Sequence, residues 1–131
     1  MIEVLEGFSD NIAAFVAHGH ITKDDYETVL IPKIEEKLER HGKIRVYYEI
    51  AADFRGIDPG AAWDDAKVGF RHLLQWERFV VVTDVEWIKH TVKLFGFVMP
   101  GEFRVFSTAE SGQARAWITE TTTEGPARED S

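Results

Sequence analysis

The chain has 131 residues, no cysteine, and 15 basic against 23 acidic side chains, a formal charge of −8. That balance argues against a nucleic-acid backbone as partner, which needs clustered cations to release counterions. The lack of cysteine removes disulfides, thiolate nucleophiles and Cys-based zinc sites, and is compatible with a reducing cytoplasm. At 44% hydrophobic, this length suits one globular domain with a sizeable core, taken here as residues 1–120.

Met1 to Leu5 alternates like a strand and lacks the basic start, apolar core and cleavage site of a secretory signal. No window approaches the ~18 apolar residues of a spanning helix, so any membrane contact is expected to be peripheral. Ile2 to Glu6 and Ile12 to Ala17 read as two strands joined by the turn Gly7 to Asn11, a link short enough for an antiparallel pair. The second strand is apolar on both faces and belongs inside a sheet. Thr22 then caps a helix whose buried stripe is Tyr26, Val29, Leu30, Ile34 and Leu38. Pro32 falls inside that pattern and predicts a kink or break near Leu30, and Gly42 marks the stop.

Lys43 to Ile50 alternates, with Ile44, Val46, Tyr48 and Ile50 on one face. The other face, Lys43, Arg45, Tyr47 and Glu49, is expected to be partly wet. Asp58-Pro59 opens a second helix that reads through to about Trp76, with Trp63, Ala66, Phe70 and Leu73 pointing inward. Phe79 to Val82 is a short β-branched run suited to a strand covered on both faces, and Asp84 stands where an N-cap belongs. The helix Val85 to Met99 follows. After the turn dipeptide Pro100-Gly101, Glu102 to Phe106 forms a last strand and Thr108 caps a final helix through Trp117 and Ile118. Thr121 to Ser131 carries no apolar anchor beyond Ala127 and reads as a disordered tail.

The order β-β-α-β-α-β-α-β-α predicts an α/β fold with a mixed five-stranded sheet, the first strand antiparallel, and about four helices on right-handed crossovers. Together with Trp63-Asp64-Asp65-Ala66-Lys67, the run Glu77 to Asp84, Trp87 and Ala116-Trp117-Ile118, this order resembles the SpoIIAA-like family of small bacterial proteins. That family is related to the STAS domains of anti-sigma-factor antagonists and anion transporters. The resemblance implies a STAS-like right-handed β/α superhelix, also likened to the lipid-binding half of the CRAL-TRIO (Sec14-like) fold, and no known catalytic residues. Anti-sigma antagonists carry a phosphorylatable serine after the middle strand. The matching stretch here, Ala51 to Pro59, has no serine or threonine, so a phosphate switch has no acceptor there.

The residues give an enzyme no anchor. Asp64 and Asp65 diverge by ~100° on a helix and cannot converge on one atom, and nucleophile-elbow, phosphate-loop and metalloprotease motifs are lacking. His18-x-His20 with Asp24 and Asp25 has the chemistry of a metal site but no third local histidine, and reads as a polar rim; no metal or other cofactor is assigned. The helix Val85 to Met99 carries more. Ile88, Val92, Phe95 and Met99 form one apolar stripe, Trp87, Leu94 and Val98 a second, and Phe97 lies off both. Lys89, His90 and Lys93 ride alongside. From Val85 to Arg104 three cations oppose two carboxylates, a local +1 within a chain of −8. Such a helix fits a movable flap over an apolar cavity lined by Trp63 and Phe70, a patch on a membrane surface, a dimer interface, or a fully buried element. The expectation is a non-enzymatic domain binding an apolar or amphipathic, lipid-like ligand at this helix. The alternative is a STAS-type protein-interaction module without the serine switch.

Overall fold

The computed structural model describes residues 1–72, 75–98 and 101–120, with backbone alone at 64–66, 68–70, 95 and 98. Strands β1 (Ile2–Val4) and β2 (Ile12–Ala17) are followed by a two-residue strand β3 (His20–Ile21). Helix α1 (Lys23–Asp25) runs through a π turn (Tyr26–Leu30) into α2 (Ile31–His41). Then come β4 (Ile44–Ile50), β5 (Gly56–Ile57), α3 (Pro59–Arg71), β6 (Trp76–Val82), α4 (Glu86–Val98), β7 (Glu102–Phe106), a 3-10 turn (Thr108–Glu110) and α5 (Ser111–Thr119). The tail read over 121–131 lies outside the described residues.

Local chemistry accounts for the element ends. Thr22 Oγ1 accepts the Asp25 N–H at 3.0 Å while the Asp25 carboxylate accepts the Thr22 N–H at 2.9 Å, a reciprocal capping box. Pro32 does not break the helix as expected. The turn before it widens instead, with the Ile31 N–H bonding to the Tyr26 carbonyl, so the chain passes the proline without a gap. Gly42, at φ +72°, ends α2 and donates its N–H to Leu38 at 2.9 Å.

The main sheet has the order β1-β2-β4-β6-β7, with β1 antiparallel to β2 and every other pair parallel. A separate parallel pair joins β3 to β5. Helices α2, α3 and α4 follow β2, β4 and β6 as crossovers. Tyr26, Leu30, Ile34, Leu38, Ala61 and Ile88 share one core with Phe15, Val46 and Tyr48. The other face is closed by α5, whose Ala114, Trp117 and Ile118 pack with Ala14, Tyr47, Val80 and Val82.

Three expectations need correction. The second face of segment 43–50 is wet only at its ends, at the exposed Lys43 and the half-buried Glu49: Arg45 and Tyr47 between them are buried because α5 lies over them, and burial with the neighbouring Glu49 pushes the Tyr47 phenol up to about 12. Helix α3 stops at Arg71, and Trp76 opens the next strand. Trp63 does not point inward but stands 64% exposed, while Ala61 is buried. The side chains of Ala66 and Phe70, and Leu73 altogether, lie outside the described residues.

Candidate functional site: the outer face of the fourth helix

Helix α4 is launched from the buried end of β6. Thr83 Oγ1 accepts the Val85 N–H at 3.0 Å, and the Val85 carbonyl accepts the Lys89 N–H at 3.0 Å, closing the first turn. Asp84 is therefore not the cap it was expected to be. Its carboxylate reaches the last helical segment, accepting the Thr108 backbone N–H at 3.1 Å and the Thr108 hydroxyl. These two bonds, the hydroxyl's first, hold the Asp84 carboxyl below its usual 3.8. A carboxylate depressed by folding stabilises the native state above its unfolded pKa, and that contribution is lost as pH falls through the folded value. Asp84→Asn should therefore melt lower than the parent at neutral pH, with the gap in Tm closing below about pH 4. A gap that stays constant on acidification would refute the assignment.

The inner face of α4 rests on the edge of the sheet. Val85 and Ile88 join the core. A Cβ placed on Gly96 would lie 3.3 Å from the Phe103 ring, so the glycine lets helix and strand approach closely. Phe103 in turn stacks on Phe79 at 5.1 Å, and Phe79 meets Trp76 edge-on at 5.9 Å. Val92 is half-buried, as is Lys89, whose ammonium sits 3.4 Å from Glu86.

The outer face is apolar as well. Trp87 is 53% exposed, Leu94 69% and Phe97 89%. At 3.6 residues per turn these three fall within an arc of roughly 80°, with His90 inside it and Glu86 and Lys93 along one flank. Glu86, His90 and Lys93 are all exposed. Single exposed hydrophobics are ordinary, but three large ones on one arc form a patch.

This placement bears on the sequence reading residue by residue. Ile88 and Val92 turn toward the protein, while Trp87, Leu94, Phe97 and Lys93 turn to water. A fully buried helix is thereby ruled out. In this conformation of the helix Trp87 and Leu94 are in solvent rather than sheltered beneath it. The side chains of Phe70, Phe95 and Val98, and Met99 altogether, lie outside the described residues. Trp63 is exposed on a different helix, α3.

The two histidines serve separate carboxylates. His18 Nε2 lies 3.0 Å from Glu3 and its Nδ1 3.4 Å from Asp53, whereas His20 Nε2 lies 2.5 Å from Asp58. Gly19, between them, has φ +60°, so the pair does not share one extended face. Among the described residues no group of three or more His, Asp or Glu side chains is placed to hold a metal. Among the same residues no helix is long and apolar enough to cross a membrane.

No curated protein matches this sequence. The chain is similar to an uncharacterised protein of the DUF3478 family from Shewanella loihica PV-4, whose crystal structure has a SpoIIAA-like fold. The two are 27% identical, superpose with a TM-score of 0.68, and the match covers 90% of this chain and 92% of that one. A fold of this kind is that of a regulatory interaction module. The SpoIIAA-like family model matches residues 12–119, which span strands β2 to β7 and all the helices, and the chain belongs to the SpoIIAA-like family.

Proposed function

We propose that this chain is a non-enzymatic binding module that docks an amphipathic partner, a protein, on the outer face of α4. The observation that carries this reading is the exposure of Trp87, Leu94 and Phe97 on one arc. Each large apolar side chain returns roughly 1.5–3 kcal/mol when fully covered. Three of them roughly offset the freedom lost on association, so useful affinity also needs polar contacts from the flank that holds Glu86 and Lys93. Trp and Phe at the centre of such a patch are residue types on which binding energy concentrates.

A membrane surface is the second reading, favoured by the exposed Lys93 and His90 beside Trp87 and Phe97, the arrangement of an interfacial helix. In either case the binding energy comes from covering surface that is already in water.

Leu94→Ser and Phe97→Ser test the proposal. Both side chains face solvent, so urea unfolding should move by no more than about 0.5 kcal/mol. Proteins captured from the native cells by the parent should be lost by both variants. Identical capture by parent and variants would sink the protein reading. Co-sedimentation with vesicles by the parent alone would transfer the site to the membrane.

A further inference from the structure

We infer that the partner of the α4 outer face is a second copy of this chain, docked with the two α4 helices antiparallel across a two-fold axis. This rests on the reading of α4 as the contact surface and adds the identity of the occupant. A two-fold contact must be self-complementary, so each feature and its complement have to lie on the same patch. The α4 face meets that requirement through its spacing. Glu86 immediately precedes Trp87, and Lys93 immediately precedes Leu94. Seven residues is nearly two full turns, so Trp87 and Leu94 lie almost in line, and Glu86 and Lys93 almost in line on one flank.

A two-fold axis normal to the plane of two antiparallel helices keeps that flank on the same side in both copies. Placing Trp87 of one copy over Leu94 of the other then brings Glu86 within about 3 Å of axial alignment with the second copy's Lys93. The symmetric pair forms at the other end. Phe97, one turn beyond Leu94, extends the apolar contact past the other copy's Trp87. A parallel two-fold arrangement would instead put the two flanks on opposite sides of the contact, where Glu86 and Lys93 of one copy cannot reach those of the other, so only the antiparallel one pairs the charges.

Area sets the strength. Stable interfaces bury roughly 800 Å² per partner, and one 13-residue helix with three large apolar side chains falls short of that. A reversible, concentration-dependent dimer is the expected species.

Sedimentation equilibrium over a hundredfold dilution series is the test. The parent's weight-average mass should rise from that of a monomer toward twice that value, and Leu94→Asp should abolish the rise. Lys93→Glu and Glu86→Lys should each weaken association by roughly tenfold, and the double variant Glu86→Lys/Lys93→Glu should recover it. A parent that stays monomeric throughout overturns the inference. So does a dimer indifferent to Leu94→Asp, or charge reversals that do not rescue each other. A monomeric parent whose captured proteins are still lost by Leu94→Ser overturns the second copy while leaving the docking face intact. A dimer and a set of captured proteins both unaffected by changes at Leu94 overturn the two readings together.

Discussion

Gly101→Ala is expected to destabilise the protein by about 3 kcal/mol or more, a loss read as a lowered urea midpoint with little change in slope. A Cβ at this position would lie 2.2 Å from the carbonyl oxygen of Trp76 and 3.1 Å from that of Glu77. Both neighbours are backbone at the start of β6, where Trp76 pairs with Ile44 of β4 and pairing with β7 begins at Arg78, one residue beyond Glu77. No side chain can rotate away to make room. Relief requires β7 to shift off β6, which also disturbs the seat of α4 on Phe103. Gly112→Ala is the internal contrast. It lies in α5 with nothing within 4 Å of the added carbon, so alanine there should gain roughly 0.5–1 kcal/mol from helix propensity. Equal effects at the two sites would contradict the packing described for Gly101.

The order of strands and helices was legible because each crossover announces itself. The apolar runs Ile12 to Ala17 and Phe79 to Val82 could serve only as strands covered on both faces, and Thr22, Gly42 and Pro59 punctuate the helices between them. What stayed hidden were facts settled by a second element. The alternation in Ile44 to Ile50 is the same whether Arg45 and Tyr47 meet water or a helix, and the arrival of α5 from the far end of the chain decides it. Ser107 rather than Thr108 caps the last segment through its box with Glu110, a difference of one residue that periodicity does not resolve. The pair β3–β5 is two residues long on each side and includes Gly56 at φ +144°, too short to register as a pattern.

The candidate site was legible in content but not in orientation. Two apolar stripes on Val85 to Met99 exceed what one core contact needs, and that excess is visible in the residue spacing alone. Spacing cannot say which stripe meets the sheet. Here Gly96 answers, because the small residue marks the side that approaches Phe103 and leaves Trp87, Leu94 and Phe97 outside. Trp63 was misread by the same ambiguity: a large aromatic is more often inside than out, yet Ala61 and Gly60 make the close approach on α3, with Gly60 against the Lys23 stem.

Arg45→Met and Arg78→Met should each cost about 2–4 kcal/mol, although neither residue is near α4. Both arginines are buried beneath α5, where they satisfy the carbonyls that a helix leaves unpaired at its C-terminal end. Arg45 Nη1 donates to the carbonyls of Ile118 at 2.9 Å and Glu120 at 2.5 Å, and its Nε donates to Glu77 at 3.2 Å. Arg78 Nη1 donates to the Trp117 carbonyl at 2.7 Å and to the Glu120 carboxylate at 3.1 Å, while its Nε sits 3.0 Å from Glu102. Trp117 is held between cations, with Arg78 at 4.8 Å and Arg104 at 5.0 Å from its ring. Methionine preserves the packing of the stem and removes the guanidinium alone, so the loss isolates its bonds to the carbonyls of Trp117, Ile118 and Glu120 and to the facing carboxylates. Lysine at either site should recover less than half of it, because one ammonium cannot reproduce the planar fork. Near-ultraviolet circular dichroism should report the loosening of Trp117, and hydrogen exchange in Ser111–Thr119 should accelerate before global unfolding. A loss below about 1 kcal/mol with unchanged exchange would mean that water satisfies the end of α5 and that the arginines are not what fastens it to the sheet.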